Sequence, residues 1–549
     1  MNSSPRRFPI LFPALLGIAI ALGIGIGYFL PGNSSLHSKG GEGASGGKLS
    51  DVLQYILSEY VDTLDASELQ DDAINSLLSS LDPHSSYIPA SELEHVSEQL
   101  EGNFDGIGVE FNIQKDTIMV VAAISGGPSE SLGIQSGDRI VEIEGKAAAG
   151  VKITNEKVMK QLRGKSGTKV KVGIYRPGQK GIRQYTITRG KIPIHSVDAG
   201  VMLDAQTGYI KISRFAANTY NEYLQAFSEL KVKGMQKLVL DLRDNPGGFL
   251  NAAVDLADEF LPKGKKIVYT QGKARKREDY NASARGSFES GDLVVLIDEG
   301  SASASEIVSG AVQDNDRGWV VGRRSFGKGL VQEEVKFDDG SAMRLTIARY
   351  YTPTGRCIQR PYVRGATEEY YQSYTERVLE PGKDSASKPA DSLAYRTPSG
   401  RVVYGGGGIS PDVVVDPDTS GYSEYLAQIA NRGLMNRFSF EFVDRQRKQL
   451  KASYPAAADF VNRFDAQQLL PDFYAFCGKN GIAPNASGQQ RSGQFISRQL
   501  QALIARTLYG NNGYYLALSK RDKAILKALE LLKSGKLVSR STAPSHQRI

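Results

Sequence analysis

At 549 residues the chain exceeds what one hydrophobic core supports, since single cores stop growing at roughly 250–300 residues, so several domains are expected. Its 67 basic and 60 acidic side chains leave a net charge of +7, too slight at this length to argue for nucleic acid as a partner. Two cysteines, Cys357 and Cys477, exclude a disulfide framework, and the five histidines lack the spacing of a metal site, so neither a metal nor another cofactor is expected.

Arg6 and Arg7 precede 23 uncharged residues, Phe8 to Leu30. At ~1.5 Å per residue that length crosses a hydrocarbon core of about 30 Å. Basic residues on the N-terminal flank hold that end in the cytoplasm and send the rest outward. Tyr28-Phe-Leu-Pro-Gly32 offers no small-residue cleavage site, so residues 1–32 read as a cytoplasmic tip and an uncleaved signal anchor. Residues 33–47, rich in Ser and Gly, read as a flexible linker. Across 48–100 apolar residues recur at helical spacing (Val52, Ile56, Tyr60; Ile74, Leu77, Leu78, Leu81), which predicts an amphipathic helical region, either a cap or a dimer contact.

Residues 101–190 begin with Phe104-Asp-Gly-Ile-Gly-Val109 and continue through Ile118–Ala122, Gly137–Glu144, a helix near Glu156–Leu162 and two closing strands. This order of short strands and one helix resembles a PDZ domain of the circularly arranged bacterial type. The glycines at 106 and 108 free successive N–H groups to converge on a terminal carboxylate, and an adjacent strand edge pairs with an extended peptide. Phe104, Gly106, Ile107, Gly108 and Val109 are therefore the candidate peptide-binding residues. Residues 191–415 alternate strand and helix patterns, as α/β layers do, with an insertion at 363–396 rich in Glu, Tyr, Ser, Lys and Pro. Residues 416–549 read as a helical region, and its last 59 residues carry 11 Lys/Arg against two acids. That run suits a solvated helix face better than a lipid or partner contact.

The densest chemistry lies between Leu293 and Gln332. An apolar strand, Leu293–Ile297, delivers Ser301-Ala-Ser303-Ala-Ser305 to the start of a helix, where unpaired N–H groups and the positive dipole end favour a developing anion. Phe326-Gly-Lys328-Gly329 supplies a base that needs no histidine. A serine hydroxyl attacks carbonyls poorly until a base takes its proton, and a buried lysine loses its charge readily enough to serve. Local chemistry does not choose among the three serines, and the N–H of the residue after the nucleophile is one natural oxyanion donor.

These residues, together with Asp241-Leu-Arg-Asp-Asn-Pro-Gly-Gly248, Leu81-Asp-Pro-His84 and the PDZ-like unit, resemble the carboxy-terminal processing (tail-specific) proteases, PDZ-containing serine peptidases of family S41. The similarity covers about residues 48–415. It implies a crotonase/ClpP-like α/β protease core with an inserted PDZ-like domain, a helical N-terminal cap and a helical C-terminal region. It implies Ser303 as nucleophile, 25 residues before Lys328 as general base, with Gln332 orienting the lysine. Ala304 and Gly248 then supply the oxyanion N–H groups, and Ser301 and Ser305 fall to capping or packing. Glu306 and Asp314 also match the family and read as structural. Arg163 is the candidate gating contact between the PDZ-like unit and the core. The implied activity is endopeptidase cleavage near the C-terminus of proteins whose free tails the PDZ unit recognises. The implied setting is the bacterial cell envelope, anchored in the inner membrane with the catalytic part in the periplasm, or periplasmic or secreted if the N-terminal segment is cleaved. A homodimer or an adaptor protein would be further partners. Two other classes compete: a catalytically silent PDZ scaffold, against which intact Ser303, Lys328 and Gln332 weigh, and an acyl-CoA enzyme on a shared core, against which the PDZ insertion weighs.

Overall fold

A computed structural model describes residues 47–379 and 393–535. The proposed anchor, Phe8–Leu30, lies outside them. Among the described residues no helix is long and apolar enough to cross a membrane. The chain divides into two compact units, residues 1–73 and 74–549. The described part of the first holds the helix Gly47–Glu59, none of whose residues is buried, and the start of the helix Ala66–Ser79, whose first N–H groups are accepted by Asp65 at 2.8 and 3.0 Å.

In the larger unit, an antiparallel sheet runs Val109–Gln114, Thr117–Ala123, Arg139–Ile143, Lys169–Tyr175 and Ile182–Thr188, with Lys146–Ala147 at its side. Period-two alternation buries Val170, Val172, Ile174 and Ile187 beneath the helix Asn155–Leu162, which contributes Val158 and Leu162. Val109–Gln114 is an edge strand. A two-stranded ribbon, Asn103–Gly106 with Gly190–Pro193, joins the start of this module to its end.

The next layer is a six-stranded sheet in the order Val197–Met202, Thr207–Ile212, Lys237–Asp241, Asp292–Ile297, Trp319–Gly322, Val413–Val414. Only the first pair is antiparallel. Parallel strands need both faces covered, which is why they read as unbroken apolar runs. Leu238, Leu240, Leu293, Val295 and Ile297 pack under the helices Thr219–Val232, Leu250–Asp258 and Ala304–Asp314. On the opposite face Val239, Val294, Leu296 and Val321 pack against Ala524, Ile525, Ala528 and Leu532 of the last described helix, Lys523–Ser534. An element far beyond residue 415 thus completes the core of this layer. Of the basic residues at that end, Arg506 makes an exposed pair with Glu110 at 2.9 Å, and Lys527 pairs with Glu530 on the same helix at 2.9 Å. The rest of the helical region has its own core, rich in aromatics such as Phe438, Phe460 and Phe473.

A second sheet holds Ser86–Ile88, Lys266–Gln271, Glu278–Asn281, Leu330–Lys336 and Ala342–Tyr351. In the described part of the 363–396 insertion, Thr367–Leu379 is a helix and Ala394–Arg396 a strand. The helix's Tyr371 hydroxyl donates to the Pro83 carbonyl at 3.0 Å, and its Tyr374 ring packs 4.8 Å from that of Phe326.

Candidate active site

Strand Asp292–Ile297 ends at a tight turn over residues 298–303 that enters the helix Ala304–Asp314. Ser303, the residue before the helix, is held at φ +53°, ψ −110°, a conformation costly for a residue with a Cβ and typical of a side chain thrust out of a sharp strand-to-helix turn. Its two neighbouring serines face inward. The Ser301 hydroxyl donates to the Leu242 carbonyl at 2.8 Å and accepts from the Asp298 N–H at 2.9 Å. That of Ser305 donates to the Asn245 carbonyl at 2.9 Å. Only Ser303 of the three lines a cleft of about 820 Å³, shared with Gly247, Gly248, Lys328, Gln332 and Tyr350.

Lys328 sits on the loop between Trp319–Gly322 and Leu330–Lys336. Its flanking glycines permit close approach. A Cβ at Gly327, where φ is +91°, would fall 3.1 Å from the Gly407–Gly408 backbone, and one at Gly329 would fall 2.8 Å from the Gln359 nitrogen. Glu306, wholly buried in the first turn of the helix, accepts from the N–H groups of Ser303, Gly327 and Lys328 at 2.8–2.9 Å and from the Ser325 hydroxyl at 2.5 Å. One carboxylate thus ties the serine turn to the lysine loop. Burial pushes its carboxyl above the usual range, while these four hydrogen bonds hold it down. Tyr350 adds a second tie, its hydroxyl donating to the carbonyls of Lys328 at 2.6 Å and Ser303 at 3.1 Å.

The Lys328 amine donates to the Gln332 side-chain oxygen at 2.8 Å. The amide NH₂ of Gln332 donates to the His84 carbonyl, which can only accept, so the oxygen must face the lysine. Burial lowers the lysine pKa, the Arg344 charge lowers it further, and Asp82 and Glu306 oppose the shift. The same burial, with the Lys328 charge behind it, pushes the His84 imidazole down to about 4, so this ring is neutral at physiological pH. Among the described residues no hydrogen bond joins the Ser303 hydroxyl to the Lys328 amine.

Gly247 and Gly248 line the other side of Ser303, at φ +97° and +145°. A Cβ on Gly247 would lie 2.8 Å from the Ser303 Cβ and 2.9 Å from the Ala304 nitrogen. A Cβ on Gly248 would lie 2.0 Å from the Phe215 carbonyl oxygen. Phe215 pins this turn on both sides, donating to the Gly247 carbonyl at 2.9 Å and accepting from Phe249 at 2.8 Å. Among the described residues the N–H groups of Gly248 and Ala304 have no acceptor, which leaves two donors beside the serine. Such an arrangement can stabilise an oxyanion formed on a carbonyl attacked by Ser303.

The five candidate peptide-binding residues separate. Phe104 and Gly106 belong to the ribbon with Gly190–Pro193, so only Ile107 and Gly108 form the turn and Val109 opens the edge strand. The carbonyls of Ile107 and Gly108 are taken by Ser129 at 3.1 Å and Ile124 at 2.9 Å, whereas their N–H groups have no acceptor among the described residues. Arg163 lies 4.6 Å over the Phe104 ring and donates to Glu98 at 2.8 Å; it does not line the cleft that holds Ser303.

Sequence reasoning did not foresee Tyr350, the tie through Glu306, or the part played by the His84 backbone. The Leu81–His84 motif was visible as part of the family resemblance, but nothing in it marks the His84 carbonyl as the acceptor for Gln332. No local pattern marks Tyr350, one of two adjacent tyrosines at the end of the strand Ala342–Tyr351.

Residues 206–368 match peptidase family S41, residues 106–182 match the PDZ domain, and residues 425–510 match a family of unknown function. A carboxy-terminal-processing protease of Bartonella bacilliformis is 37% identical over 368 residues, covering 63% of this chain and 83% of that protein. The carboxy-terminal processing protease CtpA of Bacillus subtilis is 33% identical over 375 residues, covering 66% and 78%. Among solved structures, the photosystem II D1 C-terminal processing protease is 30% identical and covers 56% of this chain and 88% of its own, with a TM-score of 0.32. Similarity of this extent, over 83% and 78% of the length of those two relatives and including the PDZ domain, places the chain among the carboxy-terminal processing proteases, serine proteases of family S41.

Proposed function

We propose that Ser303 attacks the scissile carbonyl while Lys328, in its uncharged form, which burial favours, takes the hydroxyl proton. The proton then passes to the leaving amine, and water, deprotonated by the same lysine, hydrolyses the acyl-enzyme. Gln332 holds the amine's position, and the N–H groups of Gly248 and Ala304 receive the oxyanion. The observation that carries this assignment is the Lys328–Gln332 hydrogen bond of 2.8 Å, in the cleft that Ser303 alone of its neighbours enters. The core is of the crotonase/ClpP-like type, consistent with its parallel layer and inward helices. The chain is parsed as an anchor (1–32), linker (33–47), helical cap (48–100), PDZ module (101–190), peptidase layer (191–415) and helical region (416–549). The anchor places the catalytic part outside the cytoplasm.

Substrates are proteins with free C-termini. The tail carboxylate docks on the Ile107 and Gly108 N–H groups, and the preceding residues pair with the edge strand Val109–Gln114. Arg163, stacked on Phe104 at the root of the module, is the gating contact. The test is cleavage of one tailed protein with its terminal carboxylate free or amidated. Amidation is expected to raise KM about tenfold or more, because a charge-assisted contact is lost; equal cleavage of the two forms would rule out tail recognition at this loop. A Gln332→Leu variant should retain the fold and lose about 10- to 100-fold in kcat, since the base persists but its direction is no longer set. A kcat within twofold of wild type would remove Gln332 from the mechanism.

A further inference from the structure

Behind the Gly247–Gly248 turn lies a group of charges that the peptidase layer does not complete by itself. Asp241, at the end of its strand and 1% exposed, accepts from the Arg243 guanidinium at 2.6–3.1 Å and from the Tyr209 hydroxyl at 2.8 Å. The Lys211 amine lies 3.6 Å from Asp241 and donates to the Arg243 carbonyl. Two cations thus face one carboxylate. The second carboxylate comes from Asp522, which accepts from the remaining arm of Arg243 at 2.8 Å. Its other oxygen accepts from the Ile525 N–H at 2.9 Å and caps the helix Lys523–Ser534, the helix that covers the outer face of the sheet. With Asp522 these four charges balance; without it Lys211 and Arg243 face Asp241 alone, with Lys211 and Asp241 buried and Arg243 19% exposed, and an unpaired charge there is costly.

The loop that leaves Arg243 is the one that flanks the serine. The Asp244 N–H donates to Asp298 at 2.8 Å, Asn245 accepts the Gly247 N–H at 2.9 Å, and the Asn245 carbonyl accepts the Ala302 N–H at 2.9 Å. Asn245 also donates to the Ile212 carbonyl at 3.0 Å and Phe215 pins Gly247 and Phe249, so the loop is held by the peptidase layer at its serine end, while among the described residues Arg243 ties its start to the C-terminal region. We propose that Asp522 is a positioning residue for peptide cleavage: through Arg243 it fixes the loop 243–248, and with it the Gly248 N–H beside Ser303. The C-terminal region is then part of the working active site. This rests on the assignment of Gly248 as an oxyanion donor.

The charge can be removed without uncapping the helix. Asparagine and serine both cap well, but neither carries the charge nor the second oxygen that Asp522 turns to Arg243, so the cap is kept while the contact to Arg243 is weakened. Full-length wild type, Asp522→Asn, Asp522→Ser and Asp522→Glu are compared in two ways. Amide hydrogen exchange, which does not depend on the identity of the nucleophile, should show faster exchange over residues 243–249 in the Asn and Ser variants, with the PDZ module unchanged. Steady-state cleavage of a tailed peptide should show kcat about tenfold lower with KM within twofold, and a peptide aldehyde, whose adduct carries an oxyanion, should bind about tenfold more weakly. Asp522→Glu should recover most of each. Unchanged exchange over 243–249 overturns the proposal, as does loosened exchange with wild-type kcat and aldehyde affinity, or loss of activity only in proportion to global unfolding. Faster local exchange together with retained cleavage by Ser303→Ala would instead show that the assignment of the nucleophile is at fault.

Discussion

Ser303→Ala is expected to abolish cleavage, with kcat lower by about 10⁶-fold and the folded structure intact. The serine hydroxyl has no hydrogen-bond partner among the described residues, so its removal breaks no internal contact. Its strained backbone is held by the Glu306 carboxylate and the Tyr350 hydroxyl, which grip main-chain atoms that alanine retains. Alanine at φ +53° bears the same steric cost as serine, so the thermal midpoint should move little. The measurement is degradation of a tailed protein by wild type and Ser303→Ala, with unfolding followed in parallel. Comparable cleavage by both would remove Ser303 as nucleophile and direct attention to Ser301 and Ser305. Their hydroxyls, however, are buried against Leu242 and Asn245.

Lys328→Ala is expected to lower kcat by about 10⁴-fold, the upper range for loss of a positioned general base. The pH profile is the sharper readout. A lysine acting as base must be uncharged, so kcat/KM should rise with pH and level off above the pKa of the folded enzyme. Burial, and next the Arg344 charge, place that pKa below the ordinary 10.5. Arg344→Gln removes a repelling positive neighbour, so the pKa rises, the limb moves to higher pH, and activity at neutral pH falls. A limb unmoved in Arg344→Gln, or persisting in the residual activity of Lys328→Ala, would assign it to another group. His84 is a poor candidate for that group, because its imidazole, at about 4, is already neutral across the range in question.

The parts of this protein that were legible in its sequence are those written in short-range patterns. Leu293–Ile297 is apolar throughout because a parallel strand is buried on both faces, and the small residues after it announce a turn into a helix. Glycines on both sides of Lys328 reflect a backbone packed against Gln359 and Gly407–Gly408, an approach that side chains would block. Alternation of Val170, Val172 and Ile174 gave the PDZ-like sheet in the same way. The composition of the insertion showed its tyrosines but not their partners, since Tyr374 meets Phe326 and Tyr371 meets the Pro83 carbonyl, both distant in the chain.

The sequence by itself determined the strands, the turns and the residue types able to do acyl chemistry, since each depends on neighbours only a few positions away. Tertiary structure decided which serine meets the cleft, because the fates of the Ser301 and Ser305 hydroxyls rest on carbonyls about 60 residues distant in the chain. It also decided that a helix beginning at Lys523 closes the sheet and that Asp522 completes the charges behind the Gly247–Gly248 turn. Burial and charge balance are properties of the assembled interior, and no local pattern encodes a partner 279 residues away.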